Sequence, residues 1–200
     1  MKRTTTIKNI LLILIATTLA YCSKDNTPPT PPVTLNIGDV YQGGIIFYLN
    51  NTGEHGLICA LYDQNTNAVW GCQGTEILAG TSSALGSGND NTNNILADCS
   101  SSNIAAYYCA NFTVDTYDDW YLPSLEELKL MHHQKDVINN TATANAGAVF
   151  FSNNYWSSTS APGNIDAFGV DFSLPANTSS QIATLNTRSS TQSVRAIRSF

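Results

Sequence analysis

The chain has 200 residues, of which 42% are hydrophobic and only 12% charged, and its net charge is −6. That apolar share supports one core of ordinary size, whereas the charged share is about half the usual roughly 25%. Asn, Ser and Thr, 62 residues in all, supply the polar surface instead. With Lys2, Arg3 and Lys8 of the N-terminal segment set aside, six basic residues stand against fifteen acidic ones, a balance of −9. Phosphate contacts need clustered cations, so nucleic acid is excluded as a partner. Attraction by charge alone to anionic membranes or sulfated sugars is excluded for the same reason. No collagen, coiled-coil or 20–50-residue repeat is present.

The first segment reads as an address. Lys2, Arg3 and Lys8 form a positive n-region, and residues 10–20 are an eleven-residue apolar run. Such a run is too short to span a bilayer core of about 30 Å as a helix, but it suits a signal peptide. It ends in Leu19-Ala20-Tyr21-Cys22, which resembles a bacterial lipobox. That resemblance implies a signal peptide over residues 1–21 and acylation of Cys22, with the lipid chains anchoring the protein to a membrane. Residues 22–36 then form a stalk with prolines at 28, 29, 31 and 32. Proline favours an extended polyproline II path, and ten such residues reach about 30 Å. The SKDN after Cys22 looks like the short charged export signals of some surface lipoproteins. The expected location is the outer membrane, on its cell-surface or periplasmic side.

Cysteine usage fits an oxidising compartment. Removing Cys22 from five cysteines leaves Cys59, Cys72, Cys99 and Cys109 as disulfide candidates. Four cysteines allow three pairings. The short spacing from 99 to 109 favours 99–109 with 59–72. The alternative is that some are free buried thiols acting as small hydrophobes, since Cys59 and Cys109 sit in apolar surroundings (LICAL and AAYYCA). No Cys/His spacing for zinc exists.

The globular part is residues 37–200. Residues 43–50 (GGIIFYLN) read as a strand, 51–56 as a turn and 57–62 (LICALY) as the returning strand. Residues 71–91, rich in Gly, Ser, Thr and Asn, read as a long loop. Helices are expected over 92–98 and 103–112, the second with Ile104, Ala105, Tyr108, Cys109 and Phe112 near the 3.6 period. Pro123-Ser124-Leu125-Glu126-Glu127-Leu128 carries a capping box, Ser124 with Glu127, and opens a third helix. Leu125, Leu128 and Met131 or His132 share its buried stripe. Residues 137–149 read as irregular. Residues 154–160, 167–173, 181–186 and 194–200 read as strands; Phe168, Val170 and Phe172 alternate with Gly169 and Asp171. Strands, then helices, then strands argue an α+β fold with an antiparallel sheet.

Several of these segments occur together in one bacterial family. IGDVYQGGIIFYL (37–49), DQNTNAVWGCQGT (63–75), WYLPSLEELKLM (120–131), YWSSTS (155–160) and VRAIRSF (194–200) resemble, as a set, the family named for the C-terminal domain of Lcl, a collagen-like surface adhesin. The resemblance spans residues 37–200. It implies a C-type lectin-like fold, in which terminal strands pair and a long loop region carries binding. The implied function is adhesion or recognition of a glycan or surface partner. The alternatives are a structural or assembly component of the envelope that binds another protein and, further off, a hydrolase.

The remaining constellations have structural readings beside the chemical ones. Leu122-Pro123-Ser124 with Glu127 also resembles a piece of the formylglycine-generating enzymes, but no Cys follows 109 to serve that chemistry, and a capped helix start explains it. Trp70, Trp120 and Trp156 could stack on sugar rings, yet the area each buries points to the core. Residues 88–94 (GNDNTNN) offer oxygen ligands for calcium without EF-hand spacing, so no metal site or cofactor is expected and a turn with a helix N-cap is read instead. Asp115, Asp118 and Asp119 read as a solvated loop. His132 and His133, adjacent on a helix, point about 100° apart and cannot chelate one metal. No nucleophile elbow surrounds Ser157 or Cys109, so no catalytic residue is assigned and the chain is read as a binding protein rather than an enzyme.

Overall fold

The architecture, taken from a computed structural model, is described for residues 34–178 and 181–200. The expected signal peptide, the expected acylation site Cys22 and the expected stalk as far as residue 33 lie outside the described residues. From Thr34 to Phe200 the chain forms one unit.

The unbroken apolar runs near the front of this unit are explained by two cores. Strands β1 (Val40–Tyr41), β2 (Gly44–Leu49), β3 (Gly56–Ala60) and β9 (Ile197–Ser199) form an antiparallel sheet in the order β1-β2-β3-β9. Successive side chains of a strand point to opposite faces. Ile46 and Ile58 therefore enter one core with Trp70, Ile95, Ile104 and Trp156. Ile45 and Cys59 enter the other, with Leu128, Met131, Ile138 and Tyr155. A strand buried on both faces has no polar side to alternate with, so GLICA is apolar throughout.

The second sheet has the order β4-β8-β5-β6-β7, from β4 (Asn65–Val69), β5 (Asn154–Ser160), β6 (Asp166–Asp171), β7 (Ala183–Thr187) and β8 (Thr191–Val194). Its pairs are antiparallel except for a parallel bridge between Tyr155 and Ser193. Four helices cover the cores: α1 (Gly88–Asp98), α2 (Ala105–Ala110), α3 (Leu125–His133) and α4 (Lys135–Ala144). The fold is thus mixed α+β, as expected.

Trp70 and Trp156 are fully buried and tie β4 to β5 across the intervening β8. The indole of Trp156 donates to the Ala68 carbonyl at 2.9 Å, and that of Trp70 donates to the Ser157 carbonyl at 2.8 Å. Arg188 stacks over Trp70 at 4.3 Å and donates to the Thr75 carbonyl at 2.8 Å. Trp120 is buried too, so all three tryptophans are core residues.

Three sequence readings need correction. Residues 137–149 are not irregular, because α4 occupies most of them. Its buried stripe is only Ile138 and Ala142, so a helix rich in Asn and Thr is held by tertiary packing rather than by propensity. The terminal VRAIRSF is not one strand; β8 ends at Val194 and β9 begins at Ile197, with Arg195 and Ala196 making the passage between sheets.

The third concerns the cysteines. The disulfide joins Cys72 to Cys99, with Cα atoms 5.8 Å apart, and Cys59 and Cys109 are free and buried. The favoured pairs, 59–72 and 99–109, fail on placement. Cys59 faces the second core and Cys109, on the buried face of α2, faces the first. Cys99 instead caps α1, beside Gly71 and Cys72. Gly71 holds a φ of 108°, and a β-carbon there would run into Ile104. Burial pushes the Cys59 thiol up to about 12 against the pull of Arg195, and raises Cys109 as well. Neither thiol is a reactive nucleophile. The bridge closes a span of 27 residues, so the Cys72→Ser/Cys99→Ser double variant is expected to lose about 2–4 kcal/mol in urea unfolding. Cys59→Ser should leave the number of disulfides unchanged in a thiol titration of the denatured protein.

Candidate functional site

The connection from β3 to β4 is short, polar and clamped from below. Asp63 accepts from the Arg195 Nε at 2.6 Å and from the Tyr155 hydroxyl at 2.7 Å. Arg195 also donates to the Ala148 carbonyl at 3.1 Å and lies 4.1 Å over the Phe150 ring. The Asp63 side chain is only 4% exposed and that of Arg195 is fully buried. Burial raises the Asp63 carboxyl above its usual range, a push that the Arg195 charge and the Tyr155 hydrogen bond reduce but do not cancel. Gln64 adds a second clamp: its N–H donates to the Val194 carbonyl at 2.9 Å, and its Oε1 accepts from the Ala196 N–H. The passage between β8 and β9 thereby fixes the backbone on either side of Tyr62.

Tyr62 stands 48% exposed on this clamped turn. Opposite it, α2 and the residues after it supply Tyr107, Tyr108 and Phe112, all half-buried. Together they line an open groove of about 500 Å³, whose polar members are Asp63, Gln64, Asn111 and Thr113. Tyr62 meets Phe112 edge to face at 5.7 Å, and Phe112 meets the buried Trp120 the same way at 5.1 Å. Such aromatic pairs prefer this geometry and hold one another's orientation. The exposed ring is thus braced, through two contacts, on the core.

The long loop builds a different kind of hollow. Residues 79–82 and the start of α1 enclose about 290 Å³ lined by Ser, Thr, Asn and Gly with Asp90, and no aromatic ring. Asn91 is turned inward: its Oδ1 accepts from the Ser82 N–H at 2.8 Å, and its Nδ2 donates to the Ser82 carbonyl at 2.7 Å and to Ser158 Oγ at 3.0 Å. Glu127 completes the capping box with Ser124 and also accepts from the Gly86 N–H at 2.9 Å. Burial raises the Glu127 carboxyl, against these hydrogen bonds. The LPS-x-x-E piece therefore caps α3 and fastens the long loop. Among the described residues no group of three or more His, Cys, Asp or Glu is placed to hold a metal ion.

The acidic cluster before Trp120 divides. Asp115 and Asp118 are exposed, as read. Asp119 is exposed as well but is paired: Arg198 grips it from Nε at 2.5 Å and Nη2 at 2.9 Å, and these hydrogen bonds lower its carboxyl. Both arginines of the VRAIR segment thus hold a carboxylate.

His132 and His133 do diverge, the first buried and the second exposed. The His132 ring lies 3.2 Å from the Leu174 carbonyl and edge to face with Phe172. Ser157 donates to the Phe168 carbonyl at 2.7 Å, so the two residues serve separate strands and turns rather than one another. Burial lowers the His132 imidazole from its ordinary 6.5; Leu174 and Asp171 oppose that shift, while Lys135 and His133 add to it. Above 6.5 both folded and unfolded forms are neutral. Below it the unfolded chain binds a proton that the folded chain refuses, so stability falls until the lowered folded value is passed. His132→Gln should flatten this acid-side slope in urea midpoints taken from pH 7.5 to 5.

Tyr62, Tyr107 and Asn111 were not singled out in the sequence. Their only signal is position: Tyr107 falls off the buried stripe of its helix, and Tyr62 opens a polar run after an apolar strand. No helix among the described residues is long and apolar enough to cross a membrane. No protein-family model matches the chain, and no curated protein matches it.

Proposed function

We propose that the chain is a lipid-anchored, extracytoplasmic binding module that recognises a glycan through the groove at Tyr62. The observation that carries this reading is an exposed tyrosine, braced on the core and facing a second wall of aromatic rings with amide and hydroxyl groups between. Aromatic faces suit the apolar C–H face of a sugar ring, and a few placed polar groups fix orientation in such sites. The lipobox-like Cys22 and the proline-rich stalk support display outside the cytoplasm. The family resemblance and the sharing of one sheet by strands from both ends of the domain support a C-type lectin-like fold. Its long loop serves here as scaffold, fastened by Asn91 and Glu127, and binding falls to the β3–β4 turn and α2.

The test is glycan binding by the full chain in detergent, with mass spectrometry of Cys22 on the same native material. Binding is expected to fall about tenfold or more in Tyr62→Ala, a change at an exposed position that leaves thermal unfolding in place. Absence of any glycan binding would remove the reading. The envelope-assembly alternative is favoured by one observation, the exposed Val149 and Phe151 before β5. Crosslinking in membranes followed by loss of the adduct in Phe151→Ser would favour it instead.

A further inference from the structure

Resting on the saccharide reading of the groove, we infer that its ligand is an uncharged saccharide and that the groove rejects sugars bearing sulfate or carboxylate. Every lysine and arginine among the described residues is engaged elsewhere in the fold. There are five: Lys129, Lys135, Arg188, Arg195 and Arg198. Arg188 is buried over Trp70 and donates to loop carbonyls. Arg195 is buried against Asp63, and Arg198 is held by Asp119. Lys129 pairs with Glu126 across one turn of α3, and Lys135 donates to the carbonyls of Phe172 and Leu174. None of the five lines the groove.

An anionic substituent entering the groove would shed water without gaining a countercharge. The only ionisable groups it would meet are the Asp63 carboxyl and tyrosine phenols. The phenols of Tyr62, Tyr107 and Tyr108 and the Thr113 hydroxyl carry no hydrogen bond to another described residue. Each can donate and accept. A sugar hydroxyl has the same dual character, whereas a sulfate offers acceptors only. Asp63 itself has both oxygens engaged from beneath, so it acts as a positioning residue for the turn, and the repulsion comes from the acidic excess of the domain as a whole.

The test uses the full chain in detergent against an immobilised panel. The neutral members are dextran, mannan, xylan and cellohexaose; the acidic members are dextran sulfate, heparin, alginate and polygalacturonate. Neutral glycans are expected to bind, with loss in Tyr62→Ala. Acidic ones should bind at least about tenfold more weakly in 0.05 M NaCl. The gap should narrow in 0.5 M NaCl, because salt screens the repulsion. Tyr62-dependent binding of acidic members equal to or above that of neutral ones would overturn the inference while leaving the saccharide reading standing. No binding by any member would overturn both.

Discussion

Replacing Arg195 with alanine is expected to destabilise the domain by about 3–5 kcal/mol, because it strands the buried Asp63 carboxylate without its partner. The same change removes a donor to the Ala148 carbonyl and the packing of the guanidinium stem over Phe150. Asp63 would then respond by taking up a proton, so the loss should be smaller at pH 5 than at pH 8. A second variant separates charge from shape. Asp63→Asn with Arg195→Met keeps an acceptor for the Tyr155 hydroxyl and buries no ion, and it should be more stable than Arg195→Ala alone. Urea unfolding of wild type, Asp63→Asn, Arg195→Met and the Asp63→Asn/Arg195→Met double variant measures the coupling. A loss under about 1 kcal/mol for Arg195→Ala would place the pair with exposed salt bridges and contradict its role as the clamp beneath Tyr62. Glycan binding should fall along with stability, because the turn that presents Tyr62 is fastened from below.

Trp156→Ala is expected to cost about 3–5 kcal/mol, the range for removing a large aromatic from a packed core. Two losses combine. The ring vacates the first core, where it packs with Trp70, Ile95 and Ile104, and the Ala68 carbonyl loses its indole donor. Trp156→Phe separates the two, since it keeps most of the volume and drops only the N–H. Its cost should be closer to the roughly 1–3 kcal/mol of an orphaned buried acceptor. If Trp156→Ala unfolded at nearly the wild-type urea midpoint, the indole would not be bridging β4 and β5 as described.

Much of the fold was legible because local signals and tertiary demands agreed. The capping box at Ser124 and Glu127 is formed as the residues suggest, and residues 154–160 are a strand at those bounds. The alternation of Phe168, Val170 and Gly169 was equally plain. The misreadings lie where packing overrides composition. Helix α4 has two buried residues in ten, too few to leave a period in the sequence. Strand β4 reads NTNAV, with no apolar alternation, and is defined by its partner β8. The disulfide could not be read from spacing, since its partners meet only after α1 has turned the chain back. The groove was hidden for a related reason: Tyr62 and Tyr107 lie 45 positions apart, and Arg195, which makes their meeting firm, lies on neither wall. The pairing of the exposed Asp119 was hidden because its partner is 79 residues away.

The enclosure of the three arginines among the described residues bears on how the folded domain meets proteases. Trypsin needs an extended segment with a basic side chain in its pocket, and at 188, 195 and 198 those side chains sit inside the folded domain. Among the described residues only Lys129 and Lys135, both within helices, remain as nearer targets. Digestion of the native domain should therefore follow the population of opened molecules rather than surface nicking, and a domain so built would outlast more basic neighbours in a protease-rich medium.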